Sequence, residues 1–172
     1  MGRNSKGKVR PDGATAPDDA GATDSAASDA ASEIAHATVV PSMLRQAWWS
    51  LAFWMSFGLL LEGLIGYRIP DYLSDPQRRE LLRLAHAHGN VLSLVLLAAA
   101  LAIGYGRAQP LRMTVVALRI GVVVMPFAFL AAGIWHYAND PGLAIWLVPP
   151  AALLVIFGVV GLALQARGRE ST

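Results

Sequence analysis

Two histidines one residue apart, His86 and His88, stand in "LLRLAHAHGNVLSLVLL", residues 81 to 97, where a charged amphipathic stretch gives way to hydrocarbon side chains. The chain holds only four histidines. A third, His136, follows a long apolar run in "AAGIWHYAND", and Glu62 interrupts another in "GLLLEGLIG". Neutral imidazole is the commonest nitrogen ligand for transition metals and haem iron, and its charge changes near neutral pH. An ionisable group inside an apolar span is costly, so it marks a candidate site. The candidate binding set is therefore His86, His88, His136 and Glu62, with His86 and His136 as the metal or haem ligands. The fourth histidine, His36, lies in a polar N-terminal stretch and is assigned nothing.

Three roles fit these residue types. In the first, His86 and His136, with or without His88, hold haem or a transition metal. Arg68 and Arg83 would then face the propionates, and Gly89 and Gly133 would leave room for a flat macrocycle. In the second, Glu62 and the histidines exchange protons beside a quinone headgroup. In the third, the histidines are hydrogen-bonded packing residues that fix helix register, as polar side chains do in membrane bundles. No phosphate-binding loop, nucleophile motif or paired carboxylate appears, and the chain is read as a non-enzyme. The absence of cysteine excludes disulfides, iron–sulfur clusters and thiol catalysis.

The elements that must position these residues are long and apolar. Of 172 residues, 55% are hydrophobic and 15% charged, and the two kinds are segregated along the chain. The apolar runs are each about 20 residues, the length that crosses a hydrocarbon core. Such runs must be helical, because only a helix satisfies its own backbone within lipid. The expected fold is all-α: an integral membrane four-helix up-and-down bundle, residues 39–172, with spans at about 44–67, 84–105, 113–137 and 143–164. Residues 1–38, rich in Ala, Asp, Gly, Ser and Pro, are expected to form a disordered polar tail. Asp75 before Pro76 predicts a helix start, with a capping side chain and then proline at the first helical position. Pro149 and Pro150 are expected to interrupt the fourth span.

A net charge of +2 is too small and scattered for nucleic-acid binding. Partners are expected to be the lipid bilayer, with other membrane subunits or a second copy of the chain. Arg45, Arg107, Arg112, Arg167 and Arg169 flank the spans on the N-terminal side, against Arg68, Arg78, Arg79 and Arg83 on the other. That bias predicts both termini in the cytoplasm, the membrane being taken as a bacterial plasma membrane. Arg119 lies near enough to its end of the third span to snorkel toward the surface.

Antiparallel neighbours would bring Glu62, His86, His88 and His136 to one membrane face. Residues two apart on a helix point in nearly opposite directions, so the paired histidines must diverge. His86 shares a stripe with Asn90 and Ser93, His88 with Leu92 and Val95. His86 is thus expected to face inward and His88 to face headgroups or a loop. Gly58, Glu62 and Gly66 recur at four-residue spacing and predict a close helix approach.

The stretch "RLAHAHGNVLSLV" resembles small bacterial four-span membrane proteins in which a helix opens with two histidines one residue apart. It is similar, more distantly, to the histidine-bearing helices of haem-containing membrane oxidases. The resemblance implies a haem or metal connection for the second span, and no catalytic role.

Overall fold

The computed structural model describes residues 19–108, 111–136 and 140–167, the side chains of 19–37 and 167 excepted. The described chain is all-helical: α1 Asp19–Gly66, α2 Pro70–Leu73, α3 Pro76–Gly104, α4 Arg112–Ile134, a 3-10 turn Leu143–Leu147, and α5 Val148–Arg167. Four stretches are long and apolar enough to cross a membrane: Thr38–Gly66, Pro76–Gly104, Arg112–Ile134 and Leu143–Ala166. Each matches one of the four expected spans.

The chain divides into two compact units, Met1–Ile34 and Ala35–Thr172. In the first, helix begins at Asp19, inside the stretch whose composition predicts disorder. Residues 1–18 lie outside the described residues, as does Tyr137, the expected end of the third span.

α3 starts where the Asp-Pro pair predicts. Asp75 Oδ1 accepts the Arg78 backbone N–H at 2.9 Å, and Pro76 opens the helix. The fourth span departs from expectation. Pro149 and Pro150 do not interrupt α5 but lie in its first turn, after the 3-10 segment. There a missing N–H costs nothing, because first-turn N–H groups have no intrahelical acceptor.

Contacts give the direction of each helix pair. Ser50 meets Ser93, Trp54 meets Gly89, and Gly58 meets His86, so α1 and α3 run in opposite directions. Leu82 meets Gly133 and His88 meets Phe129, so α3 and α4 do the same. Thr114, Leu118 and Gly121 of α4 meet Gly161, Gly158 and Val155 of α5 in that reversed order. α1 also touches α4, in the same direction: Phe53 stacks on Phe127 at 5.7 Å, and Gln46 bonds to Arg119. The centre of the bundle is α3 and α4, with 39% and 50% of their most apolar stretches buried, against 11% for α1 and α5. Met43, Leu96, Ala100, Leu118 and Val122 fill one half of the core, and Trp54, Ala85 and Ala132 the other.

Candidate functional site

Glycine decides where His86 goes. In a helix the side chain four residues on stacks over the same face as the residue before it, near that residue's carbonyl. Gly58 is four residues beyond Trp54 and has no Cβ, which leaves the Trp54 carbonyl open to the side. His86 Nδ1–H donates to that carbonyl at 2.8 Å, and its imidazole fills the space a Cβ on Gly58 would need. Asn90, one turn along α3, donates to the His86 carbonyl at 2.9 Å, and its amide nitrogen lies 3.1 Å from Nδ1 and 3.4 Å from Nε2. With the proton on Nδ1, Nε2 keeps the lone pair. The inward placement expected for His86 is the one found.

His88 packs against a neighbouring helix and not a loop. Its Nδ1–H donates to the Leu84 carbonyl one turn back at 2.9 Å, and its ring stacks on Phe129 of α4 at 5.0 Å. The expectation allowed only one partner helix. α3 has neighbours on both sides, so the two diverging histidines each meet one: His86 meets α1 and His88 meets α4.

His136 and His86 do not come together. His136 is nearly sealed from solvent, and its Nε2–H donates to Asp75 Oδ2 at 2.7 Å. Asp75 caps α3 eleven residues before His86, which is about 16 Å along the helix axis. Metal–nitrogen bonds are about 2 Å, so one ion or one haem iron cannot take both rings in this arrangement. Glu62 is exposed and makes no hydrogen bond or ion pair among the described residues. Four-residue steps advance about 40° around a helix, so the Gly58–Glu62–Gly66 stripe turns away from α3. Only Gly58 makes a close approach, and a Cβ on Gly66 would meet nothing within 4 Å. Among the described residues no group of three His, Cys, Asp or Glu side chains could hold a metal ion.

The His136–Asp75 pair escaped the sequence reading, which gave Asp75 a capping role alone. The available signal was positional, since the start of α3 and the end of α4 share one end of an antiparallel hairpin. Asp75 is held below the ordinary carboxylate value of 3.8, first by the Arg78 backbone N–H and then by His136, against partial desolvation. His136 Nδ1 and the hydroxyl of Tyr72, three residues before Asp75, are buried and have no hydrogen-bond partner among the described residues.

A second polar cluster lies toward the opposite end. Arg119 Nε donates to Gln46 Oε1 at 2.6 Å, Nη1 donates to Ser42 Oγ at 3.2 Å, and Gln46 Nε2 donates to the Arg119 carbonyl at 3.1 Å. Ser93 Oγ bridges to Ser50 Oγ at 2.7 Å between these clusters. Hydrogen-bonded pairs therefore cross from helix to helix at several levels. No protein family, curated protein or solved structure matches this chain.

Proposed function

We propose that the chain is a multi-pass integral membrane protein, an up-and-down four-helix bundle that serves as a structural or interaction component. The observation that carries this reading is the His86 imidazole, seated on the Trp54 carbonyl in the space left by Gly58. A ring used in this way is interhelical glue, as are the Ser50–Ser93 and Gln46–Arg119 pairs. Four apolar helices of spanning length support insertion, and their alternating contact directions support the up-and-down arrangement. The excess of arginine near the N-terminal side favours both termini in the cytoplasm.

The residues do not fit a haem or metal centre that takes both His86 and His136. The imidazole fills the space beside Gly58 between α1 and α3. The test is a visible absorption spectrum and metal analysis of the detergent-purified chain. The expected result is no Soret band and no stoichiometric metal; either signal overturns the reading. Orientation is tested with Ser74→Cys and Arg107→Cys, both at exposed positions in a chain without cysteine. An impermeant thiol reagent on intact cells should label the first and not the second.

A further inference from the structure

Arg119 is a cation well inside an apolar helix. Its Cα lies seven residues into α4, about 10 Å from the start of a helix about 34 Å long. Its side-chain partners are neutral: Gln46 and Ser42 take Nε and Nη1. No carboxylate pairs with it among the described residues, and residues 35–61, 81–136 and 141–169 contain no Asp or Glu at all. A guanidinium has five N–H donors, so three remain for something else. Among the described residues Nη2 makes no bond, and it is not buried; Arg119 lines an open groove of about 470 Å³ with Gln46, Val116, Ile120, Val123 and Val124.

The groove has a polarity. Ser42 lies one turn nearer the helix ends than Gln46, so the guanidinium reaches back from its Cα toward the boundary. Val123 and Val124 lie one turn deeper, and Val116, Ile120 and Val123 are open to the outside of the bundle. Charge toward the surface with hydrocarbon below it is the profile of an amphiphile standing in one leaflet. Arg45 and Arg112, both exposed, add positive charge at this end of the spans.

We propose that this groove binds an anionic phospholipid of the surrounding bilayer, with its phosphate on the free edge of Arg119 and an acyl chain along Val123 and Val124. Guanidinium presents paired donors that match phosphate oxygens, and Gln46 and Ser42 hold it in place for that contact. The proposal rests on the membrane reading above.

The test reconstitutes the full chain in phosphatidylcholine vesicles carrying a trace of spin-labelled phosphatidylglycerol or spin-labelled phosphatidylcholine. The motionally restricted fraction reports relative affinity. The wild-type chain should prefer phosphatidylglycerol about fivefold, the scale of one cation against an anionic headgroup. Arg119→Gln should bring the two lipids near parity, while Arg79→Gln at the other end should keep the preference. Val123→Trp fills the acyl track with the charge intact, so it should also lower the restricted fraction. No preference in the wild-type chain, or an unchanged one in Arg119→Gln, overturns the proposal. So does a Val123→Trp chain that changes oligomeric state and keeps its lipid preference, since the groove would then hold a second copy. A chain that fails to enter vesicles overturns the membrane reading itself, whereas one that enters without selectivity overturns only the lipid site.

Discussion

Gly58 and His86 occupy one another's space: the ring of the histidine lies where the glycine's side chain would begin. Gly58→Ala should therefore push His86 off the Trp54 carbonyl and destabilise the bundle by about 1–3 kcal/mol, the usual cost of overpacking. Thermal unfolding in detergent measures it. In the double variant with His86→Ala the new methyl has room, so the combined loss should fall short of the sum. A fully additive pair would show that the two residues do not meet.

His86 and His136 give the opposite expectation. Each has its own partner, Trp54 and Asp75, at levels of α3 about 16 Å apart. His86→Ala and His136→Ala should each cost about 1–3 kcal/mol, the scale of a buried polar group left without its partner. Their effects should add within about 0.5 kcal/mol. Marked non-additivity in the same unfolding assay would reveal a shared centre.

Acid should loosen the Asp75 end. An acid whose folded pKa is depressed contributes stability above its unfolded value, about 3.9, and loses it as pH falls through the folded value. Asp75 is such a group, held below 3.8 by the Arg78 N–H and by His136. Unfolding temperature should therefore decline as pH drops below about 4. Asp75→Asn should start lower at neutral pH and show a shallower decline. An identical pH profile in the variant would remove Asp75 from the linkage.

The helices were legible because their causes are local. Hydrocarbon runs of spanning length, the Asp75–Pro76 start and the divergence of His86 from His88 all follow from residue type and helical period. Partner choice was not. Whether His88 meets lipid or Phe129 depends on how many neighbours α3 has, and whether His136 finds His86 or Asp75 depends on how far the α3–α4 hairpin overlaps. Gly58 was visible as a small residue. Its role needs the register that sets it opposite His86, which no single span encodes.

Glycines separate packed positions from open ones. A Cβ on Gly158 would fall 2.6 Å from the Leu118 Cβ, whereas one on Gly63 would meet nothing within 4 Å. Gly158→Val should destabilise by about 1–3 kcal/mol through overpacking against α4. Gly63→Val should shift stability by no more than about 0.5 kcal/mol. Melting curves of the two variants side by side test this, and similar losses would mean that α5 does not sit on α4 as described.

The histidines two residues apart on α3 have a mechanical consequence. Turning α3 about its axis in either direction would pull His86 from the Trp54 carbonyl and His88 from Phe129 together, so the central helix is pinned against torsion. α5 has no such pin: among the described residues no side-chain hydrogen bond ties it to another helix, and Gly158 and Gly161 merely nest against Leu118 and Thr114. Sliding α5 along α4 sacrifices close packing and breaks no polar bond. The bundle is thus a torsionally stiff three-helix body with one shear-compliant edge.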